Sequence, residues 1–295
     1  MESRAPRFSG VMKLLLNTAL TCLLCSCQQP AGSLHNPSPS LAPPAANPSS
    51  PLASPSAISL APHGENPYPT IGAIPLPPGY HRLPADHDPF TAWLRTVNLK
   101  KNRTVYLFDG TPKRNQSAQF AVLDISVGHA DLQQCADAVM RLRAEYYYAT
   151  HDLDNIDFHT EQGVRLNFRQ WADHYGNTRA SFNNYLNKVF TWCGTHTLEK
   201  QLVTRPLGSI RAGDVLIKGG FPGHAMIVMD VAEDAKGNRI YLLAQSYMPA
   251  QDIHVVVNPT DPGLSPWYAA DTTQGLIETP EWTFTTNQLR TWPAE

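Results

Sequence analysis

Two short segments constrain this chain more than anything else in it. In Asp131-Leu132-Gln133-Gln134-Cys135-Ala136-Asp137 a cysteine stands near the start of a helix. In Pro222-Gly223-His224-Ala225-Met226-Ile227-Val228 a histidine opens an alternating apolar strand. A thiol near a helix N-terminus sits among unpaired backbone N–H groups and the positive end of the helix dipole, which lowers a cysteine pKa and can hold an oxyanion. An imidazole at the head of a strand supplies a base for such a thiol if the fold brings the two together. The bland readings stay open beside this one. Cys135 also fits a small core residue on the Val139, Leu142 and Tyr146 face of its helix, and His224 fits a hydrogen-bonded strand histidine.

The order of elements indicates an α+β domain, helices first and an antiparallel sheet second. Asp88-Pro89 opens a short helix through Leu94, a cap followed by proline at the first helical position. Thr104 to Phe108 reads as a strand ending in the Asp109-Gly110 turn, with Phe120 to Val127 as its partner. Asp131 with Gln134 three residues on resembles a capping box, making Cys135 the fourth residue of a helix that runs to about Tyr148. Ser181 to Trp192 and Leu198 to Val203 read as further helices. From Val215 the pattern turns to strands: Ala225 to Val231 and Ile240 to Ala244 form a hairpin across Lys236-Gly237-Asn238, Ile253 to Val257 follows, and Leu276 to Phe284 is extended.

A histidine base needs a third group to fix its tautomer. The hairpin returns Gln245, at the end of its second strand, to the level of His224. An amide there orients an imidazole without adding charge. Gln251, Asp252 and His254 compete for the role, and Gln245 as a plain structural amide is the alternative. Glycine at 223 leaves room for another chain or a substrate to approach.

Residues 1–27 read as an export signal: Arg4, Arg7 and Lys13 are followed by an apolar stretch too short to span a bilayer. Leu24-Cys25-Ser26-Cys27 reads as a lipoprotein cleavage box, with Cys27 the lipidated first residue of the mature chain. An uncleaved anchor is the other reading. Gln28 favours the outer membrane, facing the periplasm, if the cell is Gram-negative. Residues 28–67 are a Pro/Ser/Ala-rich tether with too little apolar surface to offset ordering. They would reach roughly 35 Å as a coil or about 120 Å if fully polyproline-like, whether as a working tether or a passive spacer.

Residues 68–295 are long enough for one domain with a substantial core. A net charge of −2 with no basic run argues against nucleic acid as a partner. Of five cysteines, only Cys135 and Cys193 lie outside the signal segment. In an oxidising compartment two cysteines also suggest a disulfide, which would remove the nucleophile. Cys193, followed by Gly194 at the C-terminal end of a helix, is the poorer nucleophile. The eleven histidines include no His-Glu-x-x-His spacing, and the His81, Asp86, His87, Asp88 group reads as a solvated loop, so neither metal nor cofactor is expected. The aromatic runs Tyr146-Tyr147-Tyr148 and Ser265-Pro266-Trp267-Tyr268 are candidates to line a cleft.

The segments Gln134-Cys135-Ala136-Asp137-Ala138-Val139-Met140-Arg141-Leu142, Gly213-Asp214-Val215-Leu216-Ile217, Pro222 to Val228 and Leu243 to His254 resemble a bacterial lipoprotein family known as a domain of unknown function, over most of 68–290. More distantly, the order of cysteine helix, Gly-Asp-Val strand, histidine strand and polar strand is similar to NlpC-type and CHAP-type cell-wall hydrolases, which have papain-like folds. That resemblance implies a nucleophile helix packed on an antiparallel sheet, with Cys135 as nucleophile, His224 as general base and Gln245 as the orienting residue. It implies peptidoglycan or another peptide as substrate and amide cleavage as the reaction. The chain departs from the NlpC-type pattern at Gln134, usually aspartate, and at Ala136, usually serine, and 151–212 would be an insertion. A non-catalytic binding or assembly lipoprotein with Cys135 and Cys193 in a structural role is the rival expectation.

Overall fold

The computed structural model describes residues 64–293. The signal, Cys27 and the tether as far as residue 63 lie outside the described residues. The folded region begins slightly before the expected boundary at 68: Glu65 bridges Asn102, and Asn66 is buried with its amide donating to the Lys100 carbonyl. Among the described residues no helix is long and apolar enough to cross a membrane.

The protein is a mixed α/β domain built on antiparallel pairing. In chain order its elements are β1 (Tyr80–Arg82), α1 (Pro89–Thr96), β2 (Gln119–Val122), α2 (Cys135–Ala149), β3 (Asp157–His159), β4 (Arg165–Asn167), α3 (Phe168–Tyr175), α4 (Arg179–Trp192) and α5 (Thr195–Gln201). The strand-rich part follows: β5 (Val203–Thr204), β6 (Val215–Lys218), β7 (His224–Asp234), β8 (Arg239–Gln245), β9 (His254–Val256), β10 (Tyr268–Ala269), β11 (Leu276–Glu278), β12 (Thr283–Thr285) and β13 (Leu289–Thr291). The main sheet runs β2-β9-β8-β7-β6-β13-β5, with β1 added to β7 and β10 to β8. β3–β4 and β11–β12 are separate hairpins.

The central strands β7 and β8 are buried almost end to end, as sequences without polar alternation require. Ala225, Ile227 and Met229 face the cluster that holds α2, α4 and α1, while Met226, Val228 and Val231 pack with Tyr241, Leu243 and Phe284 on the other side. A bulge between Val228 and Asp230 brings the Asp230 carboxylate into the helical layer. There the Nε atoms of Arg82 and Arg95 hold its two oxygens at 2.6 and 2.8 Å. The β7–β8 turn is closed by Asp234, which accepts from the N–H groups of Lys236 and Asn238. Gly237, at φ 82°, takes the left-handed position there.

Several expected elements differ. Residues 104–108 form no strand: the N–H groups of Val105 and Tyr106 donate to the Gln116 and Asp252 side chains instead of to a ladder. β2 therefore pairs with β9, far along the chain. The helix expected at Leu198–Val203 begins earlier, at Thr195, and Val203–Thr204 is strand β5. The Leu276–Phe284 extension is a hairpin, β11–β12. α3 and the β3–β4 hairpin fill the 151–212 region, where the sequence indicated only the later helices.

Candidate functional site: a thiol, an imidazole and a buried amide relay

α2 starts at Cys135 itself, so the cysteine is the first helical residue and not the fourth. The capping box is made by Gln134 and Asp137: the Gln134 N–H donates to Asp137 Oδ2 at 2.9 Å, and the Gln134 side chain accepts from the Asp137 N–H. Asp131 has another task, accepting from the Ala250 N–H at 2.6 Å. With the Ser246 hydroxyl on the Gln133 carbonyl at 2.9 Å, it ties the start of α2 to the end of β8 and the loop after it. Cys135 is thereby fixed beside the strand end that carries Gln245.

The thiol lies against the beginning of β7. Backbone N–H groups of Ala225, the residue after His224, and of Ala136 and Cys135 lie close enough to the sulfur to favour its ionised form. Among the described residues no hydrogen bond joins the sulfur to the imidazole. Burial nevertheless dominates its electrostatics, followed by the adjacent Asp137, and together they push the Cys135 thiol up to about 11. The expectation of a thiolate stabilised by the helix dipole is thus corrected: desolvation outweighs the N–H groups at the helix start. The resting thiol carries its proton.

His224 is 1% exposed, enclosed by the rings of Tyr247, Trp282 and Phe284 at centroid distances of 4.8, 5.2 and 5.9 Å. Burial lowers its pKa to about 4, so this base is neutral at ordinary pH. Its Nε2 lies 2.8 Å from Gln245 Oε1. The partners of Gln245 decide which way that bond runs. The Gln245 amide nitrogen donates to Glu281 Oε2 at 2.8 Å and lies 3.3 Å from His254 Nε2. His254 Nδ1 sits 2.9 Å from the Asp252 carbonyl, which can only accept, so His254 Nε2 is left as an acceptor. Both amide hydrogens are then spoken for, Oε1 must face His224, and the His224 proton must reside on Nε2. Nδ1 is left with its lone pair, the form a general base needs. Lys113, only 8% exposed, anchors the far end with Nζ 2.5 Å from Glu281 Oε2.

The structure therefore places Gln245 on His224, and the Cys135 sulfur near the backbone of Ala225, the next residue of β7. It brings in Glu281, Lys113, His254 and Tyr247, which sequence reasoning did not single out in these roles. His254 had appeared only as a competitor of Gln245. Glu281 lies 36 residues beyond Gln245, in the β11–β12 turn, and no local pattern pointed to it. Asp252 is engaged elsewhere, with Lys100 at 2.8 Å, and the buried Gln251 amide oxygen has no hydrogen-bond partner among the described residues. Gly223 serves the chain's own packing: a Cβ there would lie 2.4 Å from the Gly220 carbonyl and from Thr195 Oγ1. That space is not open to a substrate. Neither aromatic run lines the site, since Tyr146 packs on Phe90 and Trp93, Tyr148 packs on Phe182, and Trp267 is wholly buried.

Beside the thiol opens a cleft of about 710 Å³, walled by Ala136, Phe190, Trp192, Phe221, Pro222 and Met248 among others. Cys193, the C-cap of α4, also faces it, and both cysteines are free thiols. Among the described residues no cluster of three or more His, Cys, Asp or Glu side chains forms a cation site.

Fold and site define a mixed α/β protein in which a half-buried helix-start thiol and a relay-oriented histidine share one end of an antiparallel sheet. The chain belongs to the family described as domain of unknown function 4846, whose model matches residues 72–291. No curated protein and no solved structure matches it.

Proposed function

We propose that this protein is a lipid-anchored cysteine hydrolase of the cell envelope, with a papain-like arrangement of NlpC/CHAP type, that cleaves an amide bond, peptidoglycan peptides being the first substrates to test. The export signal, Cys27 and the tether sequence support an outer-membrane lipoprotein facing the periplasm. The observation that carries the chemistry is the relay from Lys113 through Glu281 and Gln245 to His224, because it leaves an unprotonated Nδ1 on His224, the residue before Ala225, whose backbone N–H lies near the helix-start thiol.

In this reading Cys135 Sγ attacks the scissile carbonyl carbon while its proton passes to His224 Nδ1. The developing oxyanion takes the backbone N–H groups near residue 135. Collapse of the tetrahedral intermediate breaks the C–N bond, and the amine leaves with the proton from His224. Water then adds to the thioester, His224 accepting its proton, and the carboxylic acid departs as the thiol is restored. The neutral resting pair makes proton transfer part of the attack and not a prior ionisation.

The test is turnover of purified peptidoglycan by the full-length protein and by Cys135→Ala. The substitution abolishes product release and leaves the thermal midpoint nearly unchanged; full activity in the variant removes the mechanism. A second reading, a non-catalytic binding module, is favoured by the fact that Cys135 and Cys193 face one cleft. If they form a bridge in the cell, replacing either costs about 2–4 kcal/mol of stability, with no hydrolysis by the parent protein.

A further inference from the structure

The cleft beside Cys135 carries more information than the thiol alone. Its walls are mostly apolar, and three of the most exposed large apolar side chains in the described residues stand on it: Phe221 at 99%, Met248 at 60% and Trp192 at 57%. Large apolar groups left in water around one concavity mark a binding surface. Its charge is equally informative. No lysine or arginine is among the residues that line it. Of the acidic groups, Glu161 is matched at the far end by His196 and Lys200, each 3.2 Å from its Oε1. Asp137, close to the thiol, is almost wholly buried; Oδ2 serves the capping box and Oδ1 has no hydrogen-bond partner among the described residues. Burial also raises the Asp137 pKa well above the ordinary carboxylate value. A carboxylate brought there meets no cation, whereas an uncharged apolar group buries its surface against Phe190, Trp192, Phe221 and Met248.

We infer that the cleft binds an uncharged, apolar segment of the substrate directly beside the scissile carbonyl, a long aliphatic or aromatic group in preference to a charged one. This rests on the reading of Cys135 as nucleophile and narrows its substrate: within a wall peptide, the acidic residues lie outside this subsite.

The test uses the full-length protein and a series of N-alkyl iodoacetamides with methyl, butyl and hexyl tails, together with anionic iodoacetate. Each forms an S–C bond at Cys135 as iodide leaves with the C–I electron pair and the thiol proton passes to solvent. Rates at Cys135, followed by peptide mapping, are divided by those of glutathione with the same reagent. Each methylene taken from water is worth about fourfold. The hexyl reagent is therefore expected to react at least tenfold faster than the methyl one, iodoacetate more slowly than any of them, and Trp192→Ala to flatten the series. Equal normalised rates for all tails, or a preference for iodoacetate, overturn the inference. The pH profile of the methyl reagent separates the two proposals. A flat tail series with a pH plateau that depends on His224 removes the apolar subsite and keeps the nucleophile. A tail preference without that plateau keeps the subsite and removes the nucleophile.

Discussion

Replacing Glu281 by glutamine separates a structural ion pair from a working relay. The Lys113 and Glu281 side chains are 8% and 15% exposed, and Nζ stands 2.5 Å from Oε2. Burial lowers the Lys113 pKa, and Glu281 opposes that shift through its hydrogen bond and charge. Removing the negative partner leaves an ammonium group buried without a counter-charge. Breaking such a pair costs about 3–5 kcal/mol, and the partial exposure of Glu281 favours the lower end. About 3 kcal/mol in a domain of this size lowers the thermal midpoint by roughly 6–12 °C. The chemical consequence is separate. Without the negative charge, the amide oxygen that Glu281→Gln introduces is a weaker acceptor that Lys113 and Gln245 must share, and the Gln245 amide is held less firmly in its orientation. When the amide turns, its nitrogen faces His224, the imidazole proton moves to Nδ1, and the base is lost to the thiol. Cys135 alkylation by iodoacetamide at neutral pH therefore falls about tenfold, an amount that corresponds to about 1.4 kcal/mol of lost orientation. The double variant Lys113→Met/Glu281→Gln removes the unpaired charge, so it regains most of the stability and none of the rate. Scanning calorimetry and peptide-mapped alkylation read the two effects. A Glu281→Gln protein that melts like the parent, or one that melts early yet alkylates at the parental rate, refutes the reasoning.

Two further outcomes follow from the buried charges. Asp230→Asn leaves Arg82 and Arg95 facing a neutral amide inside the helical layer, and urea denaturation should record a loss of at least about 3 kcal/mol. The folded-state pKa values of His224 and His254 lie at about 4 and about 3, below their ordinary value, so the unfolded chain binds their protons first. Their contribution is intact above about pH 6.5 and is lost progressively as pH falls towards 4 for His224 and 3 for His254. Asp214, raised to about 6, and Asp137, also raised, bind protons more readily in the fold and work in the opposite direction. A His254→Gln variant isolates one term: its stability loss between pH 7 and 5 should be smaller than the parent's by about 2 kcal/mol, and equal slopes count against the assignment.

The parts of this architecture that the sequence made legible are those written locally. The β7–β8 hairpin was readable from apolar runs around Lys236-Gly237-Asn238, and its register carries Gln245 back towards His224. The Asp88-Pro89 start of α1 was readable for the same reason, with Asp88 accepting from the Thr91 N–H. What was not legible depends on long-range contacts. The segment 104–108 has strand composition, yet Gln116 and Asp252 take the N–H groups of Val105 and Tyr106, and neither has to be there on local grounds. Asp131 was the natural cap by spacing, but a bond to the Ala250 N–H holds it, and the helix starts three residues later than that spacing implied. Glu281 and Lys113 reach the site from distant loops, and their meeting with Gln245 is a property of the assembled sheet. The thiol's ionisation also escaped, because a helix start is visible in sequence whereas burial is not.

The measurement to make first is the pH dependence of Cys135 alkylation by iodoacetamide in the full-length protein and in His224→Asn. Attack by the neutral thiol with His224 taking its proton needs the resting pair, which prevails between the imidazole pKa near 4 and the thiol pKa near 11, so this route gives a reaction rate that is flat between about pH 5 and 9. In His224→Asn the plateau should vanish, leaving a rate that rises about tenfold per pH unit as the thiol ionises alone. If the parent protein already shows that rise, and His224→Asn does not alter it, His224 does not serve Cys135 and the proposed hydrolase has no base.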